Sequence, residues 1–132
     1  MWRIARPDTG VDLLIGIGGT PEGVISAAAL RCMGAEILGR LRFRSDEERA
    51  RARKMGVADE TRVYRTEDLA SGKDIRFIAT GVTDGDVLQG VRLFARGART
   101  HSILLDRRMG KLRFIDTIHY EDIDNPPIIR LR

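Results

Sequence analysis

The segment Asp12-Leu-Leu-Ile-Gly-Ile-Gly-Gly-Thr-Pro-Glu-Gly-Val24 holds the residue types most able to do chemistry in this chain. Gly16, Gly18 and Gly19 follow a short apolar run, Val11 to Ile15, and precede Thr20-Pro21-Glu22. Thr is a good helix N-cap, Pro suits the first helical position, and an acid suits the first turn. The expected arrangement is a strand, a bare backbone turn and a helix N-terminus. Free N–H groups there can receive an anion, and absent Cβ atoms let a ligand approach the main chain. Glu22 would add a carboxylate beside that anion. Two negative groups side by side need a cation between them, so the local chemistry suggests a metal-assisted phosphate site, or part of one.

A tight structural connection explains the same glycines without any ligand, as in many α/β proteins. The turn is not a P-loop, because no Gly-Lys-Ser/Thr follows. It also departs from the dinucleotide fingerprint: Gly19 comes at once after Gly18, and Gly23 falls too late for the third glycine. Glu36 lies about twenty residues after Gly16, where a ribose-binding acid would sit, so a dinucleotide stays as the less favoured alternative.

Elsewhere the chemistry is thinner. His101 and His119 fall in two strands of an expected hairpin and could share a metal or a proton if they met; the preferred reading is ordinary sheet residues. Asp84-Gly85-Asp86 offers two close carboxylates that a tight turn explains. The run Thr80 to Asp86 places glycine and hydroxyls at a strand exit, where ligand loops often sit. Serines are few and none lies in a Gly-x-Ser-x-Gly elbow, so a Ser-His-Asp site is excluded.

These residues must be positioned by regular elements. Residues 11–15 read as a short buried strand. Residues 21–33 read as a helix with Val24, Ile25, Ala28, Ala29 and Cys32 on its inner face and Gly34 as its stop. Ala35 to Phe43 has β character weakened by Gly39. Ser45 caps a second helix from Asp46 to Met55, with Glu48 at capping-box spacing and Gly56 beyond the end. Arg62 to Arg65 reads as a strand, and Thr66 to Leu69 as one helical turn. Ile75–Gly81, Val91–Phe94, Arg99–Asp106 and Lys111–His119 read as further strands, the last two joined by a hairpin at Arg107-Arg108-Met109-Gly110. The tail from Glu121, with Pro126-Pro127, reads as extended. The class is therefore α/β: one mixed sheet with helices packed on it.

The chain has 132 residues, 42% hydrophobic and 32% charged, which suits one compact domain with a modest core. Arg3, Arg6 and Pro7 stand where a signal peptide would need an apolar stretch, and no apolar run is long enough to cross a membrane; a cytoplasmic location is expected. The one cysteine, Cys32, excludes an internal disulfide. The net charge of +4 is spread as arginines among acids. Arg40, Arg42 and Arg44 alternate as on one strand face, and Arg49, Arg51, Arg53 and Lys54 close a helix opened by Asp46-Glu47-Glu48. Aromatic residues are not interleaved with them, so a nucleic-acid partner is not expected.

The Pro7–Ala29 segment, with its Gly-Ile-Gly-Gly-Thr-Pro-Glu-Gly block, resembles the C-terminal region of class II fructose-1,6-bisphosphatases. So do Ala35–Leu41, Phe77–Val91 and Ile115-Asp-Thr-Ile-His119. The resemblance covers nearly the whole chain. Bacterial relatives include enzymes that also act on sedoheptulose-1,7-bisphosphate. The family is similar to the lithium-sensitive phosphatases, layered α/β enzymes that hydrolyse a phosphate monoester with Mg²⁺ or Mn²⁺. The resemblance implies a gluconeogenic hydrolase acting on a sugar bisphosphate, with Gly19 contacting the sugar phosphate through its backbone and Glu22 as a metal ligand. The metal would polarise phosphoryl oxygens and help to form a hydroxide nucleophile.

The sequence also departs from the family pattern. Family members carry a longer N-terminal portion with most of the metal-binding carboxylates, including an Asp-Pro-x-Asp-Gly-type motif. Here the Asp-Gly pair, Asp84-Gly85, lacks the preceding Asp-Pro. One carboxylate with water cannot hold Mg²⁺ or Mn²⁺ tightly. The expectation is a single C-terminal sugar-phosphatase domain, residues 1–132, without its N-terminal metal-binding half. Such a domain would be nearly inactive alone and would need a separate chain for the missing ligands. The alternative is a non-catalytic sugar-phosphate-binding or assembly fragment. An apolar docking face, and with it a homo-oligomer, is also expected.

Overall fold

The computed structural model describes residues 10 and 12–120. The Glu121 tail, the N-terminal arginines and Val11 lie outside the described residues. The chain divides into two compact units, Met1–Ile75 and Arg76–Arg132. Helices and antiparallel sheets together make it an α/β protein, as the sequence suggests. The strands are shared between two sheets, and every pairing among the described residues is antiparallel.

In the first unit, α1 spans Thr20–Met33 and ends on Gly34, whose φ of 74° is the left-handed conformation that glycine adopts most readily. Strand β1 (Leu38–Arg40) pairs with β2 (Val63–Arg65). Between them lies α2, Asp46–Lys54. Ser45 Oγ accepts from Glu48 N at 3.3 Å, while the Glu48 carboxylate accepts from Arg44 N at 2.8 Å. The capping box thus reaches one residue further back than the sequence suggests. At the other end of α2, Arg49 and Arg53 both pair with Glu60, and the Arg49 guanidinium lies 5.6 Å over the Phe43 ring. The first arginines of the strand-face pattern are exposed, as a solvated surface requires.

The short helix α3, Thr66–Leu69, follows β2 directly and packs along α1. Two side chains tie this region together. Buried Thr66 accepts from Ile37 N at 2.9 Å and returns a bond to Ile37 O at 3.4 Å, fastening the turn before β1 to the start of α3. Arg31, from the last turn of α1, donates to the carbonyls of Ala70 and Gly72 just past the end of α3. Cys32 Sγ, half-buried as its sequence position suggests, donates to Ile75 O at 3.5 Å.

The structure corrects two readings of the first unit. Residues 12–19 form no strand, and Leu13, Leu14, Ile15 and Ile17 are exposed, Ile15 at 85%. A strand needs a neighbour to receive its backbone bonds, and none is present for this segment among the described residues. The buried side of α1 is Ala27, Ala29 and Leu30; Val24 and Ile25 stand out in solvent. Those two belong to the first turns, beside the uncovered segment.

In the second unit, β3 (Arg76–Thr80), β4 (Arg92–Phe94), β5 (Gly97–Asp106) and β6 (Lys111–Tyr120) form one sheet. Strand β5 pairs with β6 along all of its length on one edge, and with β4 and then β3 on the other. Ile103 and Leu105 are fully buried. The expected hairpin turn is formed, with Gly110 at φ 57° and Gly110 N bonded to Arg107 O at 3.3 Å. Buried Asp106 fixes this turn: its carboxylate accepts from Met109 N at 3.0 Å and pairs with Arg76 Nε at 3.1 Å.

Two stability predictions follow from these bonds. Thr66→Val leaves the Ile37 amide without its acceptor and should cost about 1–3 kcal/mol in urea unfolding. The Met109 amide and then Arg76 hold the Asp106 carboxyl below the usual carboxylate range, against the opposing effect of burial. A depressed pKa stabilises the fold above the unfolded value, about 4, and that stability is lost as pH falls through the folded one. Between about pH 5 and pH 2, the melting temperature of the wild-type chain should therefore fall further than that of Asp106→Asn.

Candidate functional site

The glycine-rich corner is an open backbone segment that runs into α1. Gly19, not Thr20, is the N-cap, in extended geometry at φ −71° and ψ 156°. Thr20 and Pro21 are the first two helical residues, and Glu22 is the third. Proline is tolerated there because these first amides have no partner inside the helix. No side chain caps this end. The corner therefore presents exposed helix-terminal amides, which favour an anion.

The third helical position is the one from which a Glu reaches back to its N-cap. Glu22 does fold back: its carboxylate fills the space that a Cβ on Gly19 would take, with Cδ 3.1 Å from that point. The sequence-predicted pair, Gly19 and Glu22, is thus brought together, with the carboxylate directly above the bare Cα. Gly16 and Gly18 have open space where a side chain would be, so neither is demanded by packing.

The two histidines do not meet. His101 is opposite Asp116 in the β5–β6 register, and His119 is opposite Ala98. Alternation along the strands places them on opposite faces of the sheet. His101 stacks on Phe114 at 5.5 Å, whereas His119 Nε2 lies 3.0 Å from Thr100 Oγ1. They are sheet residues, the reading the sequence favours. No group of three or more His, Cys, Asp or Glu able to hold a metal occurs among the described residues.

The Thr80–Asp86 run opens a closed loop joining β3 to β4. Asp84 is its fastener: Oδ1 accepts from Gly90 N at 2.9 Å, and Arg92 Nη2 donates to both oxygens at 2.8 and 2.9 Å. The Gly90 amide, then Arg92, lower the Asp84 pKa below the usual carboxylate range. The carboxylate is thereby used within the turn. Gly81 and Gly90 are needed for close approach: a Cβ on Gly90 would sit 2.8 Å from the Thr83 carbonyl carbon and 2.9 Å from Asp84 N, and one on Gly81 would strike the Gln89 carbonyl. No side-chain pattern marks Gly90 in the sequence, because the backbone it approaches, at Thr83 and Asp84, is brought to it only when the loop closes.

Comparison with known proteins gives the class: the pattern of the bacterial fructose-1,6-bisphosphatases matches this sequence. The chain belongs to the family described as bacterial fructose-1,6-bisphosphatase, glpX-encoded, whose pattern matches residues 2–119. It is 44% identical to the D-fructose 1,6-bisphosphatase class 2/sedoheptulose 1,7-bisphosphatase of Synechococcus sp. (strain JA-3-3Ab), over 94% of this chain and 39% of that protein. The equivalent protein of Gloeobacter violaceus is 43% identical over 86% of this chain and 36% of its own length. That of Microcystis aeruginosa is 42% identical over 94% and 39%. The chain thus spans about two fifths of the length of the curated relatives it matches.

Glycine substitutions should separate the two corners. Gly90→Ala forces backbone apart and should cost about 1–3 kcal/mol in thermal or urea unfolding. Gly19→Ala meets only the movable end of Glu22 and adopts an ordinary backbone conformation, so its cost should stay below about 1 kcal/mol.

Proposed function

We propose that this chain contributes the sugar-phosphate-binding corner of a class II fructose-1,6-bisphosphatase, with Gly19 presenting its backbone to the phosphate and Glu22 acting as one ligand of a divalent ion, Mg²⁺ or Mn²⁺. The reaction is hydrolysis of the 1-phosphate of a sugar bisphosphate, a step of gluconeogenesis, in the cytoplasm. The observation that carries this reading is the Glu22 carboxylate folded over Gly19 at an exposed, uncapped helix end. Family membership supports it. No helix among the described residues is long and apolar enough to cross a membrane, which agrees with that setting.

As a metal donor Glu22 fits in kind but not in number. Hard divalent ions take about six oxygens, and the described residues assemble no group of three acidic or imidazole side chains. On this reading the remaining ligands are supplied by water, substrate phosphate and acidic residues outside the described segment, including those of a further polypeptide segment. What the chain's own residues do is narrower: the α1 amides attract the phosphate, and the absent Cβ at Gly19 leaves room for it once Glu22 swings aside. The exposed Leu13–Ile17 run supports docking of such a segment, or of a further copy of the chain in a homo-oligomer.

The sparse ligand set favours a second reading for the chain by itself: a sugar-phosphate-binding or assembly module without catalysis. Phosphate release from fructose-1,6-bisphosphate, measured with Mg²⁺ or Mn²⁺, distinguishes the readings. The purified chain should show little or none. Activity should appear on mixing with the remaining portion of a class II relative, and in that mixture Glu22→Gln should lower turnover by orders of magnitude with the fold intact by circular dichroism. Robust release by the chain alone, or unchanged turnover in Glu22→Gln, would refute the assignment.

A further inference from the structure

His101 sits where the edge of β5 passes from pairing with β4, at residues 97–99, to pairing with β3, at residues 102–106. Loop 81–91 crosses that gap and is fastened to His101 twice. Gly81 N donates to the His101 carbonyl at 3.0 Å, and Gln89 N donates to His101 Nδ1 at 3.0 Å. The second bond fixes the state of the ring. A backbone amide can only donate, so Nδ1 must be a bare acceptor and the imidazole must be neutral, with its proton on Nε2. An imidazolium has a proton on both nitrogens and cannot accept this bond.

The surroundings offer the charged ring a different partner. Asp116 on β6 lies directly across from His101 on the same face of the sheet. Arg99 Nη2 pairs with Asp116 at 2.8 Å and keeps its carboxyl below the usual carboxylate range, so Asp116 is anionic wherever an imidazole titrates. Arg99, on the same face, binds both Asp116 oxygens, Nε to Oδ1 at 2.9 Å and Nη2 to Oδ2 at 2.8 Å, so the imidazolium would share that carboxylate with it. On that face β3 presents Phe77 and Ala79, and β6 stacks Phe114 on the ring. Arg92 on β4 is held by Asp84, and Asp86 at the loop tip is exposed. The bonds within the loop, Gly85 N to Leu88 O at 2.9 Å, Val91 N to Val82 O at 3.2 Å and Gly90 N to Asp84, do not involve the imidazole.

We propose that His101 is a proton-operated latch on loop 81–91: the neutral ring holds the Gln89 end of the loop against β5, and the imidazolium releases it and turns to Asp116. Closure favours the neutral ring, so it is lost as the ring takes up a proton. The Gly81 N bond to the His101 carbonyl and the bonds within the loop do not need the ring and survive, so only the Gln89 end is freed.

Nuclear magnetic resonance on the full 132-residue chain tests the latch between about pH 5.5 and 8. Gln89 amide protection, corrected for the intrinsic exchange rate, should fall by up to about tenfold per pH unit as the ring takes up its proton and then level off once the loop end is released, while Gly85 protection stays constant. In His101→Asn, whose side-chain oxygen accepts without titrating, Gln89 protection should not vary with pH. Gln89 protection that is flat through the wild-type His101 titration would overturn the proposal, even where a variant fails to fold.

Discussion

Every strand of the second unit is bonded to β5, and that dependence sets the positions of its side chains. Ten consecutive residues pair with β6 on one edge, while β4 and β3 share the other. Once this register is set, alternation decides which residues share a face. Buried Ile103 and Leu105 share one face with His101 and exposed Arg99; Leu104, Ser102 and Thr100 go to the other. The gap between β4 and β3 then has to be covered by backbone, because the His101 carbonyl, which points to that side, would otherwise lack a partner. Loop 81–91 covers it, and the bare positions Gly81 and Gly90 let its two limbs approach closely enough to do so.

The first unit is held differently. Among the described residues its sheet has two short strands, and side chains bonded to backbone supplement the short ladder. Thr66 serves both backbone groups of Ile37, and Arg31 reaches the carbonyls beyond α3. These contacts fix α1 at its C-terminal end. Its N-terminal end, with Gly19 and Glu22, is left open and apolar side chains are exposed beside it. A helix secured at one end and bare at the other suits a surface that is completed by something else.

What could be read from sequence was mainly local chemistry. Ser45 and Glu48 specify the start of α2, Gly34 ends α1, and Arg107–Gly110 joins two alternating strands, because each signal lies within a few residues. The pairing of Glu22 with Gly19 is also local, which is why the corner was legible. The failures are non-local. Val11–Ile15 has strand composition, but a strand exists only when a neighbour bonds to it. Val24 and Ile25 have the hydrophobicity of an inner face, yet burial went to Ala27 and Leu30 because of where α1 is anchored. The orientation of His101 and His119 depends on a register that composition does not reveal. The bond from Gln89 to His101 spans twelve positions and involves a main-chain donor that no side-chain pattern marks.

The one-to-one pairing of β5 with β6 also limits how this part of the protein can change length over evolution. Adding or deleting a single residue inside either strand would turn the rest of that strand over, bringing Leu112 and Phe114 to the opposite surface from Leu105 and Ile103. Only a bulge could absorb the change locally. Length variation among descendants should therefore collect in the Arg107–Gly110 connection, where an extra residue alters a curve and not a pattern.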